Sequence, residues 1–144
     1  MRFYLAGRYG RLHELNDYAE DLCDMGHTVD CVWLRGNHHA EDFQLSDELS
    51  TRIAQEDLSD IRACDGLIAF TDPPRSTTSR GGRHAEFGYA MALGKQLIVV
   101  GPVENVFYAL VDHYPTWSEF LRRSVYGARS WFSLPSNRGG PVNA

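Results

Sequence analysis

One stretch restricts the possible folds more than any other. Gly66-Leu67-Ile68-Ala69-Phe70 is an unbroken apolar run. A polar loop follows it, then Gly81-Gly82 opening a helix-like segment through Ala90, then a second apolar run, Gln96 to Val100. A continuous apolar strand suits the centre of a parallel sheet, where both faces are covered. Strand, loop, helix and strand together make a βαβ unit. Ligands of such units sit over the carboxyl ends of the strands and at helix N-termini. A glycine pair there lets backbone approach a ligand closely. Glu86, one turn inside the helix, would then face a cleft. A glutamate in a first turn also serves as a surface residue that complements the helix dipole, and spacing alone does not choose between these roles.

The flanking chain extends the same alternation. Residues 2–6 read as a buried strand and Gly7-Arg8-Tyr9-Gly10 as a turn. Leu12, Leu15, Tyr18, Ala19 and Leu22 recur at helical spacing, and Gly26 is a suitable stop. Residues 28–34 are expected to form a strand and residues 35–43 a polar loop. A helix is predicted from about Ser46 to Ala63, with apolar positions Leu49, Ile53, Ala54, Leu58 and Ile61. Asp57 falls on that apolar face, where a carboxylate is costly without partners; at the stripe's edge it would only cap or pair locally. After the central unit, residues 105–111 fit either a short helix or a fifth strand. Residues 116–123 fit a short helix capped by Thr116 or Ser118. The expected fold class is α/β: a doubly wound parallel sheet of four to five strands in three α/β/α layers, with flavodoxin-like order 2-1-3-4-5. Its switch point brings the first loop beside residues 71–82. Residues 1–128 are expected to form one domain, and 129–144 a partly disordered tail.

Composition excludes several classes. With 144 residues, 43% hydrophobic and 23% charged, the chain has the make-up of a single globular domain. No apolar run approaches the roughly 20 residues that span a bilayer, and the first residues do not read as a signal peptide. A cytoplasmic protein without membrane contact is expected. A net charge of −5 argues against nucleic-acid binding. Cys23, Cys31 and Cys64 form no CxxC and fit reduced thiols.

Dinucleotide and P-loop fingerprints are absent, and no nucleophile elbow occurs. His38-His39 with Glu41 and Asp42 lies in a polar loop, where adjacent histidines are more often solvated than metal-bound. No cofactor and no metal is expected. Acid chemistry remains: Asp57, Asp65 and Glu86 near a glycine-lined, hydroxyl-rich cleft.

The sequence resembles the nucleoside 2-deoxyribosyltransferase family, which includes the 2′-deoxynucleoside 5′-monophosphate N-glycosidases. Phe3-Tyr4-Leu5-Ala6-Gly7 resembles the family's first strand, whose tyrosine contacts the catalytic carboxylate. Glu56-Asp57-Leu58 with Ala63-Cys64-Asp65 resembles the helix end that supplies a substrate-binding aspartate. Gly82 through Glu86-Phe87-Gly88 resembles the segment of the nucleophilic glutamate. Glu104-Asn105-Val106 resembles the segment whose asparagine reaches a neighbouring subunit's site. The likeness spans roughly residues 2–110. It implies Glu86 as nucleophile, Tyr4 as its orienting group and Asp57 as a sugar-binding or base-releasing group. It also implies a homodimer or larger homo-oligomer with a shared site, for which Phe107, Tyr108, Tyr114, Trp117, Trp131 and Phe132 would supply aromatic surface, unless they cover the sheet edge within one chain. Gly7, Arg8, Asp65, Ser79, Arg80, Gly81, Gly82, His84 and Asn105 complete the expected substrate-binding set.

One departure bears on the substrate. Six positions before the nucleophile the transferases carry an acid, and the monophosphate glycosidases a serine; here it is Arg80, with Ser79 beside it. An arginine and hydroxyl cluster suits a phosphate better than a nucleobase, although Arg75, Arg80, Arg83 and Arg8 would also serve as solvated loop charges. The expected activity is cleavage or transfer of the N-glycosidic bond of a nucleoside or its 5′-monophosphate. The alternatives are an inactive nucleotide-binding module and a cytokinin-type phosphoribohydrolase, whose PGGxGTxxE run is absent.

Overall fold

In the computed structural model, which describes residues 1–36, 45–77 and 81–126, five strands form a parallel sheet. The strands are β1 (Arg2–Ala6), β2 (Thr28–Val29), β3 (Gly66–Phe70), β4 (Gln96–Val100) and β5 (Asp112–Tyr114), in spatial order 2-1-3-4-5. The order and the three-layer arrangement match the sequence expectation. Every residue of β3 is buried, as an apolar run between two neighbours requires. Tyr4 pairs with Leu67 and Ala6 with Ala69, while Phe70 pairs with Val100.

Four helices cover the sheet: α1 (Leu12–Asp24), α2 (Asp47–Ala63), α3 (Gly82–Ala92) and α4 (Trp117–Tyr126). On one face, Tyr18 of α1 stacks on Trp117 of α4 with ring centroids 4.5 Å apart, and both rings meet Phe70. The indole N–H of Trp117 donates to Asp21 at 2.7 Å, which satisfies its one polar atom. Helices α2 and α3 occupy the other face. Ser46 caps α2 by accepting from the Leu49 N–H, and Asp47 and Glu48 favour its positive end. Thr116, not Ser118, caps α4, accepting from the Glu119 N–H.

The second strand is shorter than expected. It covers Thr28–Val29 and gives way to a 3-10 turn at Val32–Arg35. Side chains take over the edge of β1 at that point: the Leu5 N–H donates to Cys31 Sγ, and the Trp33 indole donates to the Leu5 carbonyl at 2.9 Å. The backbone need not stay extended when side chains satisfy the neighbouring strand.

The segment read as either helix or strand holds both, a 3-10 turn at Val106–Leu110 followed by β5. Of the four described aromatics expected to supply subunit contacts, three pack within this chain: Tyr108 and Trp117 are buried, and Tyr114 packs edge-on against Phe120. Phe107 is exposed. Trp131, Phe132, the tail beyond 128 and the His38-His39 loop lie outside the described residues. Cys31 and Cys64 are buried thiols and Cys23 is exposed. No described helix is long and apolar enough to cross a membrane.

Candidate active site

Strand alternation turns Tyr4 toward the layer formed by α2 and α3. Its phenol is buried and donates to Glu86 Oε1 at 2.9 Å. The bond joins residues 82 positions apart and fixes α3 against β1. Helix α3 reaches that position from an unusual start. Its N-cap is Gly81, with φ of 97° and no side-chain cap, a conformation that strains any residue carrying a Cβ. At Gly82 a Cβ would meet nothing within 4 Å among the described residues.

Asp57 completes the cluster from α2. Its Oδ1 is buried and accepts no hydrogen bond among the described residues. One phenol carries one proton, and that proton goes to Glu86; Asp57 feels the Tyr4 hydroxyl dipole without saturating both its oxygens. Burial, chiefly, and then the charge of Asp57 push the Glu86 carboxyl up to about 8, against the Tyr4 hydrogen bond and the Arg83 charge. Burial pushes Asp57 up to about 6; the Tyr4 hydroxyl opposes the rise, and Asp60 and Glu56 add to it. Burial together with these two carboxylates raises Tyr4 far above its ordinary value, so it stays a donor. Two carboxyls with different proton affinities beside one fixed phenol make an acid–base pair. An ionised member can attack or stabilise an electron-poor carbon, and a protonated one can deliver a proton.

The other expected site residues divide. Gly7 follows β1, but a Cβ there would lie 2.6 Å from Leu15 Cδ1, so this glycine admits α1 to the sheet. Arg8 is exposed at the end of β1, with Nε 3.7 Å from Asp72 Oδ2. Arg11 also approaches Asp72, at 3.6 Å, and donates to the Thr71 carbonyl. This switch-point cluster was not foreseen from the sequence, where Arg11 shows only an i,i+3 spacing to Glu14. His84 is exposed on another flank of α3, 3.7 Å from Glu104. Asn105 accepts from the Phe107 N–H and caps the turn after it. It lines a pocket of about 850 Å³ together with Arg75, His84, Glu104 and Phe107, and neither Tyr4, Asp57 nor Glu86 lines that pocket. Within one chain, therefore, Asn105 does not join the triad. Ser79 and Arg80 lie outside the described residues.

Asp65 is a correction. It precedes β3 and so lies at the amino end of the sheet, opposite the ligand-binding edge. Its carboxylate accepts from the Arg2 N–H at 2.7 Å, and its own N–H donates to the Arg2 carbonyl. It ties together the first residues of β1 and β3 and does not face the triad.

Solved structures share this architecture. A 2-deoxyribosyltransferase from Bacillus psychrosaccharolyticus aligns with a TM-score of 0.66 at 22% identity, covering 84% of this chain and 90% of that one. A CMP N-glycosidase from Clostridium botulinum aligns at 0.57 and 22% identity, covering 85% and 97%. A 2-deoxyribosyltransferase from Leishmania mexicana aligns at 0.58 and 18% identity, covering 87% and 97%. At such identities the likeness speaks for the fold. No curated protein sequence matches the chain. The sequence profile described as nucleoside 2-deoxyribosyltransferase matches residues 3–122, which include Tyr4, Asp57 and Glu86, and the chain belongs to that family.

Proposed function

We propose that this protein breaks the N-glycosidic bond of a nucleoside or deoxynucleoside, or of its 5′-monophosphate, with Glu86 as nucleophile. The observation that carries the reading is the 2.9 Å bond from Tyr4 to Glu86, with Asp57 alongside. The family supports the reaction class. In the reaction the C1′–N bond breaks, its electron pair leaves with the base, and C1′ gains oxocarbenium character. The Glu86 carboxylate bonds to C1′ and forms a glycosyl ester. Glu86 gives up the proton it holds before it attacks; Asp57 either takes that proton and passes it to the departing base or binds the sugar hydroxyls through its open oxygen. Water or a second base then displaces Glu86 from C1′.

A 5′-monophosphate is the favoured substrate form. Arg8 stands exposed at the carboxyl end of β1, where α/β folds take their ligands, and the C. botulinum neighbour is named for a nucleotide substrate. The active form is a homodimer or larger homo-oligomer. Asn105 of a second copy closes the pocket, and the exposed Val103, Val106, Phe107 and Leu110 beside it supply apolar contact area.

The test is incubation with a panel of nucleosides and 5′-monophosphates, with and without free adenine, read by chromatography. Free base without an acceptor identifies hydrolysis, and a new nucleoside or nucleotide identifies transfer. Ligand retained without product identifies a binding module and overturns the proposal. A 2′-fluoro analogue should add the mass of its glycosyl group to the wild type and nothing to Glu86→Gln.

A further inference from the structure

Glu104 lies in the β4–β5 connection, outside the triad. Both its oxygens accept from Arg83 Nη2, at 2.8 and 2.7 Å. Oε1 also accepts from the Asp72 N–H at 3.2 Å, and Oε2 from the Tyr108 hydroxyl at 3.4 Å. Tyr108 in turn accepts from Arg83 Nη1 at 2.7 Å. A carboxylate offers about four acceptor positions, so Glu104 has none left for a ligand. Both partners of the ion pair are well covered, with side chains 11% and 18% exposed.

What this carboxylate holds is the first turn of α3. That turn has no side-chain cap, and two glycines precede Arg83. The Arg83 fork is thus a principal tether between the start of α3 and the end of the sheet. Arg83 and Glu86 are i,i+3 neighbours on the helix, where side chains of successive turns meet. The same pair therefore fixes how far a guanidinium stands from Glu86 and how much of its charge is screened.

We infer that Glu104 is a positioning residue for Glu86, clamping Arg83 and partly cancelling the field that Arg83 exerts on the nucleophile. The inference rests on the reading of Glu86 as the reacting group. Among the described residues, the other charged or titratable groups facing Glu86 are Tyr4 on β1, Asp57 on α2 and the Cys31 thiol before the Val32–Arg35 turn. None of them touches Glu104, so the variants below leave them in place.

The test titrates the Glu86 carboxyl directly, by carbon-13 NMR of glutamate-labelled protein, with the resonance assigned by its loss in Glu86→Gln. In Glu104→Gln the Arg83 charge is uncompensated, and the Glu86 midpoint should fall by about half a pH unit or more. In Arg83→Met it should rise, and in Glu104→Asp it should stay within about 0.2 of wild type. A midpoint that stays put or rises in Glu104→Gln overturns the inference. If Arg83→Met does not fold, Glu104→Gln, nearly isosteric, decides alone. In assays on the substrate found above, the pH profile of kcat/KM for Glu104→Gln should slide with the NMR midpoint while KM stays within about twofold. A tenfold rise in KM would make Glu104 a binding residue and also overturn the assignment. Wild type inactive on every substrate with the NMR shifts intact would sink the proposed function and leave the electrostatic clamp standing. Activity with an unmoved midpoint would sink the clamp alone.

Discussion

The two flanks of α3 treat charge in opposite ways. Toward the β4–β5 connection, Arg83 meets Glu104 in a saturated ion pair. Toward α2 and β1, two carboxyls share one phenol and no cation bonds to either. The first arrangement is what a fold does with buried charge when stability is the aim, since a charge without a partner is expensive. The second keeps proton affinities raised, at about 8 and about 6. Raised carboxyl affinities in a covered site mark chemistry more often than architecture. The contrast supports the proposed site on the carboxyl flank without reference to pocket size: the 850 Å³ pocket lies on the side of the Arg83–Glu104 pair.

Removing the charge of Glu86 should give the largest effect. Glu86→Gln retains an oxygen to accept from Tyr4 and loses the proposed nucleophile, so kcat should fall at least about a thousandfold. Its stability should move the other way. The Glu86 affinity is raised on folding, from an ordinary 4.5 to about 8. The folded state therefore holds a proton that the unfolded state has released, and stability is lost as pH rises from near 4.5 through 8. Glutamine does not ionise. The variant should thus be more stable than wild type at pH 9, by on the order of 2 kcal/mol, with the gap closing toward pH 5. Thermal melts across that range check the sign. A variant less stable than wild type at pH 9 would mean that Glu86 is not held in an unfavourable environment.

Asp57 and Tyr4 act on Glu86 with opposite signs, which makes them a matched test. Asp57→Asn removes a negative neighbour, so the Glu86 ionisation and the rising limb of kcat/KM should move to lower pH. The plateau rate should fall about a hundredfold through the lost contact to sugar or base. Tyr4→Phe removes the donor that favours the ionised form, so the limb should move to higher pH, with a loss of about tenfold. Limbs that shift in the same direction would break the assignment of Tyr4 as donor and Asp57 as repeller.

Much of this flank was legible in the residues. Asp57 on an apolar stripe left two readings open, a carboxylate aimed inward or one pairing at the stripe's edge, and its buried Oδ1 favours the first. The 2-1-3-4-5 order sets the first strand near the glycine-led helix, and the family resemblance, not the spacing, pairs Tyr4 with Glu86. Legibility failed where long-range side-chain bonds replace backbone regularity. Residues 30–34 carry strand-forming types, yet Cys31 and Trp33 satisfy Leu5 by side chain and release the backbone into a turn. In the sequence Glu104 stands out only as the neighbour of Asn105, because no local spacing announces a partner 21 positions away. Asp65 is a different kind of failure: its place before β3 already puts it at the amino end of the sheet, away from the cleft to which its acidic type assigned it.

Asp65 therefore gives the smallest expected effect and the cleanest control. It is an aspartate like Asp57 and only eight positions away, so a reading based on the sequence alone ranks the two together. The fold separates them by the length of a strand. Asp65→Ala removes one hydrogen bond, to the Arg2 N–H, while the Asp65 backbone keeps its bond to the Arg2 carbonyl. The residue is exposed, so water can replace the lost acceptor, and the cost should be no more than about 1 kcal/mol. Turnover should stay within about twofold of wild type, and the kcat/KM profile should not move along the pH axis. A displaced profile in Asp65→Ala would show that charge at the amino end of the sheet reaches Glu86, and the division between a reactive edge and a structural edge would have to be redrawn.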